Sequence, residues 1–318
     1  MNAVTTLREH GLRIGGLDAG AANSIADVAG VRVGHVTVAR DEPDPPGGRG
    51  VARTGVTAVV HESVAAMYAE PPAAGVAVLN GAGELTGSLE VREWGELKTP
   101  VYLTATMAVG RVYDGAAAVA VEADPSVGVD EVVIPVVGEC DDSWLNEARV
   151  VQVEPSDAAR AVADADTAER FAQGSVGAGT GMSCFDWKGG IGSSSRVTGE
   201  HVVGVLVLAN FGSWHQLRVD GVPVGRMLGA PSGGDTSGGG PPKPAGSCIG
   251  VVATNAPLGP AQLERVARRV GLGLARAGSV AHHGSGEIFV ALSTGARTQR
   301  GEALSPTLPG RRPDPLLE

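Results

Sequence analysis

Short apolar runs rich in β-branched residues recur along the whole chain, and they limit the possible fold more than any other feature. Such runs predict largely buried strands. Helical signals lie between them: 156–171 is rich in Ala, Asp and Arg with Ser156 as N-cap, and 260–277 has apolar residues at helical spacing. Strands and helices thus alternate, which predicts an α/β fold. The predicted strands cover 56–60, 76–79, 101–106, 132–137, 202–209, 249–254 and 288–292.

Glycine is the unusual component, with 48 residues in a chain of 318. A hydrophobic content of 43% can fill a core, and the glycines have no period of three, so disorder throughout and a collagen-like structure are both excluded. Loop residues are dense in 41–50, in 228–246 and from about 297 onward. We expect surface loops there, a flexible linker at 228–246, a disordered tail from about 297, and otherwise one domain spanning 1–318.

The net charge of −10 argues against a nucleic acid or an anionic membrane as partner. An apolar leader and a run of about 20 apolar residues are both missing, so we expect a cytoplasmic protein. Cys140, Cys184 and Cys248 are isolated in the sequence and predict reduced thiols. Neither the cysteines nor the histidines, including the adjacent His282 and His283, have metal-ligand spacing, so no metal and no cofactor is expected.

The most informative position is the junction where the predicted linker meets a predicted strand, at Gly246-Ser247. One interpretation is a loop that simply enters a sheet. The other is a self-cleaving precursor, in which Ser247 attacks the carbonyl of Gly246 and water then releases a new N-terminal serine. The α-amine of that serine, with a pKa of about 7.7–8.0, can act as the base for its own hydroxyl.

Several further stretches, together with this junction, resemble the P1 family of peptidases, also called S58. This family includes the L-aminopeptidase/D-amidases of the DmpA type and the β-peptidyl aminopeptidases. The resemblance covers nearly the whole chain, and its order makes it strong. The matching stretches are IADVAGVRVGH (25–35), NGAGELTG (80–87), PVVGE (135–139), VGAGTGM (176–182), KGGIG (188–192), VLVLANFG (205–212), Gly246-Ser247 with VVATNAPL (251–258), and GSGEIF (284–289).

The resemblance implies a four-layer αββα sandwich similar to that of N-terminal-nucleophile hydrolases. It also implies cleavage into an α chain, 1–246, and a β chain, 247–318. The expected activity is that of an aminopeptidase or amidase that releases N-terminal amino acids from short peptides, amides or esters. We further expect a homo-oligomer, a tetramer of αβ units.

By position, the resemblance places the nucleophile on Ser247 and the oxyanion-binding amide on Asn210. It assigns a supporting hydroxyl and acid to Ser285 and Glu287, which lie two residues apart and could hold the new α-amine. Glu139 resembles the anchor for the ammonium group of the substrate, and Asn80 falls in a stretch expected to line the substrate. Amide donors and carboxylates suit these tasks, since one binds a developing oxyanion and the other a cation.

The pattern leaves alternatives open. Where the characterised peptidases tend to carry tyrosine two residues after the glutamate, this chain has Asp141, so substrate preference is not fixed. Cys248, directly after Ser247, is a second possible N-terminal nucleophile. Ornithine acetyltransferases share a similar fold and self-cleavage, but their nucleophile is threonine. An uncleaved binding protein that kept the fold without the chemistry is the remaining alternative.

Overall fold

The computed structural model describes residues 7–167, 171–231 and 246–298. Its helices are α1 (Val64–Ala69), α2 (Ser88–Trp94), α3 (Val109–Ala123), α4 (Ser156–Thr167), α5 (Val224–Leu228) and α6 (Pro260–Ala277). Its strands are β1 (Val31–Arg40), β2 (Ala52–His61), β3 (Pro72–Gly81), β4 (Val101–Ala105), β5 (Val136–Cys140), β6 (Ser183–Cys184), β7 (Trp187–Lys188), β8 (Gly190–Thr198), β9 (His201–Asn210), β10 (Ser247–Thr254) and β11 (Gly286–Arg297).

Two sheets form the centre of the molecule. A four-stranded sheet has the order β1-β2-β4-β5, a five-stranded sheet has the order β3-β11-β10-β9-β8, and β6 and β7 form a small ribbon. Helices α3 and α4 contact the four-stranded sheet, and α6 contacts β3, β10 and β11 of the other. The layers are therefore helix, sheet, sheet, helix, as expected for an αββα sandwich.

Alternation along β10 shows which face of the five-stranded sheet looks inward. Ile249 and Val251 belong to the large core cluster that joins the two sheets, whereas Cys248 and Val252 pack in the smaller cluster under α6. Successive side chains of a strand point to opposite faces. Ser247, which starts β10, therefore shares the inward face with Ile249.

The two sheets approach closely where β5 crosses β9 and β10. The Cys140 thiol lies 3.7 Å from the carbonyl oxygen of Leu208. A Cβ added at Gly138 would lie 3.0 Å from a methyl group of Ile249, so a larger residue would push the sheets apart. This contact brings the end of β5 to the beginning of β10, where Ser247 lies.

The structure contains all the predicted strands except one, and α6 covers the predicted helix 260–277. The prediction of a strand over 132–137 is wrong, because β5 begins only at Val136. Val132 is 67% exposed and Pro135 has no N–H to donate, so this stretch cannot join the sheet. Helix α4 covers Ser156–Thr167 of the predicted helix 156–171; residues 168–170 lie outside the described residues, and residue 171 is not helical.

Sequence reasoning missed strands β1 and β8 and helix α3. The predicted loop at 41–50 lies largely on the surface. Most of the predicted linker, 232–245, and most of the predicted tail, 299–318, lie outside the described residues. Arg297, where the tail was expected to begin, is the last residue of β11 and pairs with the Glu62 carboxylate.

Candidate active site

Ser247 lies in the middle of the five-stranded sheet, at the first position of β10. It pairs with Asn210 on β9 and with Gly286 on β11, and it is only 5% exposed. Directly opposed residues of antiparallel strands have Cβ atoms about 4.5–5.5 Å apart. The structure therefore places the Asn210 and Ser247 side chains next to each other.

Gly246 occupies a position that has no room for a side chain. A Cβ there would lie 2.3 Å from the carbonyl oxygen of Asn210 and 2.6 Å from Cα of Phe211. Both neighbours are backbone, so they cannot move aside as a flexible side chain would. The glycine before Ser247 is thus required by packing as well as by the chemistry expected at the junction.

The Asn210 amide is held at both of its ends. Its Oδ1 accepts a hydrogen bond from the backbone N–H of Ser183 at 2.9 Å, and its Nδ2 donates to the carbonyl of Asp141 at 2.7 Å. A flipped amide would oppose donor to donor and acceptor to acceptor, so these partners fix its orientation. The second N–H of Nδ2 is not used by either of these contacts.

Ser285 and Glu287 are in direct contact. The Ser285 hydroxyl donates to Oε1 of Glu287, and both residues are almost completely buried. Oε2 of Glu287 is buried without a hydrogen-bond partner, and burial raises the pKa of this carboxyl. Gly286, which lies between them in the chain, is the residue that pairs with Ser247. Glu287 itself pairs with Cys248, so the unused acceptor belongs to the strand next to β10, one register position from Ser247.

Asn80 serves the turn that carries Ser285. Its Nδ2 donates to the carbonyl of His282 at 2.8 Å, and the same carbonyl accepts from the backbone N–H of Ser285. Asn80 also pairs with Glu287 across β3 and β11. The structure thus brings Asn80 to the edge of the site, where it holds the Ser285 turn.

Glu139 is the second-last residue of β5, near the end of the strand. Oε1 of Glu139 accepts from the backbone N–H of Glu84 at 2.9 Å, and Oε2 accepts from the hydroxyl of Thr106. Burial raises the pKa of Glu139, with smaller opposing effects from these hydrogen bonds.

Gly83 lies between the Glu139 carboxylate and Gly286, the residue of β11 that pairs with Ser247. A Cβ on Gly83 would lie 3.0 Å from Oε1 of Glu139 and 3.3 Å from Cα of Gly286. The loop after β3 therefore fits between the Glu139 carboxylate and Gly286 only because residue 83 has no side chain. Glu139 and the Ser285–Glu287 pair accordingly belong to one site, although they lie on different sheets.

Asp141 and Cys248, the two residues that leave the family pattern open to alternatives, lie in different parts of the structure. Asp141 accepts the Asn210 amide through its carbonyl oxygen, while its carboxylate accepts from the backbone N–H of Ser143 at 2.9 Å. Cys248 is completely buried on the α6 side of the sheet, and burial raises the pKa of its thiol well above the usual value. Thiolate formation at Cys248 is thereby disfavoured, and this supports Ser247 as the nucleophile.

Thr106 is a site residue that sequence reasoning missed. It follows the end of β4, and its hydroxyl reaches Glu139 on the neighbouring strand. The two residues are 33 positions apart, so only strand pairing brings them together. The available signal was weak: a polar residue at the end of a buried strand.

Among the described residues, no group of three or more histidine, cysteine or acidic side chains is arranged to hold a metal ion. Likewise, no helix in the described part of the chain is long and apolar enough to cross a membrane.

Comparison with known proteins gives consistent matches over nearly the whole chain. The model of peptidase family S58 matches residues 23–318. The beta-peptidyl aminopeptidase BapA of Sphingosinicella microcystinivorans is 42% identical over 294 residues, which cover 86% of this chain and 71% of that protein.

Solved structures agree with the sequence matches. The L-aminopeptidase D-Ala-esterase/amidase of Ochrobactrum anthropi, described as a variant of the Ntn hydrolase fold, superimposes with a TM-score of 0.85 at 34% identity, over 96% of this chain and 83% of that one. A beta-aminopeptidase of a Burkholderia species gives a TM-score of 0.82 at 39% identity, with the same coverage of 96% and 83%.

These findings confirm the expected fold and the expected enzyme class, a serine-type hydrolase of the aminopeptidase or amidase kind. They favour it over the acyltransferase and over a non-catalytic binding protein. The chain belongs to peptidase family S58.

Proposed function

We propose that the chain is one self-processing domain that cleaves itself between Gly246 and Ser247. The processed enzyme then removes N-terminal residues from short peptides, amides or esters through an acyl-enzyme on Ser247. The observation that carries the proposal is the direct pairing of Ser247 with Asn210, whose amide is fixed with one N–H left over. A nucleophile and an oxyanion donor thus lie side by side at the start of one strand.

Self-cleavage is an acyl shift from nitrogen to oxygen. Oγ of Ser247 attacks the carbonyl carbon of Gly246, its proton passes to the departing nitrogen, and the C–N bond breaks to leave an ester. This shift frees the α-amine of Ser247, and water then hydrolyses the ester, which releases the Gly246 carboxylate and restores the Ser247 hydroxyl. The Asn210 amide stabilises the negative charge that develops on the Gly246 oxygen, a contact worth about 10²–10³ in rate.

Turnover uses the newly formed amine as the base. It takes the proton from Oγ of Ser247, which attacks the substrate carbonyl, and the proton goes to the leaving amine. Water hydrolyses the resulting ester by the same route. Ser285 and Glu287 support this step, because the partnerless Oε2 of Glu287 can accept the ammonium form of the new N-terminus.

Specificity for a free N-terminus comes from Glu139. Its two oxygens are held by Glu84 and Thr106, and the carboxylate keeps lone pairs for a substrate ammonium. The relatives named beta-peptidyl aminopeptidase suggest that substrates with a β-amino acid at the N-terminus are included. Asn80 completes the substrate side by holding the turn next to Ser285.

The enzyme is further proposed to be cytoplasmic and to assemble into a tetramer of αβ units. Its three cysteines are free thiols, which suits a reducing compartment. Leu89 and Trp94 of α2 and Val132 in the loop before β5 are exposed by 78, 53 and 67%, and such apolar surface suits contact between copies.

Intact-mass analysis of the purified protein tests the proposal. Wild-type protein is expected as two fragments, 1–246 and 247–318, and the Ser247→Ala variant as one uncleaved chain without aminopeptidase activity. Ser293→Ala is the matched control, since it also removes a buried serine hydroxyl, but one on β11 that donates to the Ala256 carbonyl and has no role in the proposed cleavage. Cys248→Ala is expected to cleave normally. A wild-type chain that stays whole, or a Ser247→Ala variant that still splits at this bond, contradicts self-cleavage by Ser247.

A further inference from the structure

The loop that follows β5 carries a buried acid that the mechanism above does not use. Asp142 is only 2% exposed, and its carboxyl group faces the side chains of Thr54 and Asn146. Burial raises the pKa of this carboxyl to about 6. An acid in such surroundings lowers the stability of the fold unless the contacts that it makes are worth more than its desolvation.

One set of contacts fixes the loop to the four-stranded sheet. Oδ1 of Asp142 accepts from Nδ2 of Asn146 at 3.1 Å, and the Asp142 carbonyl accepts from the backbone N–H groups of Leu145 and Asn146, both at 3.0 Å. Oδ1 of Asn146 in turn accepts from the backbone N–H of Arg53 at 3.0 Å, at the start of β2. The Asp142 side chain thus closes a turn and anchors it to a strand.

A second contact joins the same side chain to the segment before β6. Gly181 packs against it so closely that an added Cβ would lie 2.8 Å from Cβ of Asp142 and 2.0 Å from the carbonyl oxygen of Arg53. Gly181 lies two residues before Ser183. Asp142 is therefore in contact with, or adjacent to, both segments that hold the Asn210 amide.

These two segments supply the hydrogen bonds that orient Asn210. Asp141, next to Asp142 in the chain, accepts from its Nδ2, and Ser183 donates to its Oδ1. We propose that Asp142 is a positioning residue for the Asn210 amide, which it aims at the reacting carbonyl by fixing the 141–146 turn against Gly181. The inference rests on the proposed hydrolysis by Ser247.

The first test compares steady-state kinetics of processed variants on amino-acid p-nitroanilides. Asp142→Ala is expected to lower kcat by about tenfold, part of the 10²–10³ that an oxyanion donor supplies, with little change in KM. Asp142→Asn is expected to keep most of the activity, because its Oδ1 can still accept from Asn146. Asp157→Ala is the matched control: it removes an equally buried carboxylate, 3% exposed, from helix α4, and is expected to change stability but not kcat.

The second test separates positioning from a general structural role. In an Asn210→Ala background, measured with an activated ester, Asp142→Ala is expected to have no further effect on kcat, because the group that it positions is gone. Equal losses in both backgrounds would overturn the inference, and so would unchanged kcat in a folded Asp142→Ala protein. If Asp142→Ala does not fold, Asn146→Ala breaks the same link and replaces it in both backgrounds.

The outcomes also separate this inference from the proposed function. A wild-type protein that neither cleaves itself nor hydrolyses amides overturns the function. An active wild type whose kcat does not respond to Asp142→Ala overturns only the role of Asp142.

Discussion

Two buried carboxylates, on different sheets, lie near the start of β10, and their hydrogen-bond partners differ. Glu139 of β5 has both oxygens bonded, one to the Glu84 N–H and one to the Thr106 hydroxyl. Glu287 of β11 has one oxygen bonded to Ser285, and its second oxygen is buried without a partner. Burial raises the pKa of both carboxyls.

The difference indicates two tasks. Glu139 is fully oriented before any ligand arrives, as suits a residue that receives substrate after substrate. Glu287 lacks one partner in the continuous chain, and the proposed self-cleavage at Ser247 would create a cation that can supply it, the new α-ammonium. An unpaired buried acceptor is costly, so formation of this contact would stabilise the proposed processed enzyme relative to the precursor.

Removal of the Glu287 charge is the change with the largest expected effect. Glu287→Gln in the processed enzyme is expected to lower kcat by about 10²–10⁴, the range for a group that governs proton transfer, because the amine of Ser247 loses the acid that orients it. The measurement is kcat on an amino-acid p-nitroanilide. Glu264→Gln removes an exposed acid from α6 and is the control. A Glu287→Gln variant with the kcat of wild type would show that Glu287 does not orient the amine, and the proposed difference in task between Glu287 and Glu139 would then be wrong.

Neutralisation of Glu139 is expected to act on binding. Glu139→Gln should raise KM by about 100-fold, since loss of one partner of a buried charge pair costs about 2–5 kcal/mol. An N-acetylated ester, which has no ammonium, is the matched substrate and should respond little. Equal effects on both substrates would contradict the role of Glu139 as ammonium anchor.

The same variant tests the stability effect of this carboxylate. Burial raises the pKa of Glu139 in the folded protein above its usual value of 4.5. The folded state therefore binds the proton more tightly than the unfolded state, and ionisation lowers stability as the pH rises through the folded pKa. Glu139→Gln cannot ionise, so its Tm at neutral pH should equal or exceed that of wild type, and this advantage should vanish below about pH 4.5. A lower Tm at neutral pH would contradict this prediction.

Much of the fold follows from local sequence. The β-branched runs give most strands of both sheets because such residues pack well on a pleated, buried surface. Helix α6 follows from its apolar period and ends at Gly278, whose φ of +114° suits glycine. The strand predicted over 132–137 is wrong because Pro135 cannot donate a hydrogen bond to the sheet and Val132 lies exposed on the surface.

The site was predictable only in part, for a physical reason. Ser247, Asn210, Ser285 and Glu287 lie at strand ends whose order follows the family, and the structure brings them together as pairs. Backbone partners leave no sequence signal: Asn210 is held by the carbonyl of residue 141 and the N–H of residue 183, groups that any residue would supply. The role of a glycine such as Gly246 is equally hard to predict from the sequence, since its close approach to the backbone of Asn210 and Phe211 depends on tertiary packing.

Replacement of Thr106 has the smallest expected effect, and it tests the difference between Glu139 and Glu287 most specifically. Thr106→Val keeps the shape of an exposed residue but removes the hydroxyl that bonds Oε2 of Glu139, so this oxygen becomes partnerless like Oε2 of Glu287. A single hydrogen bond contributes about 0.5–1.5 kcal/mol, so KM should rise roughly 2- to 12-fold with kcat nearly unchanged. Thr106→Ser restores the donor and should restore KM. If Ser and Val behave alike, the hydroxyl does not orient Glu139, and the Glu139 carboxylate is held by the Glu84 N–H alone.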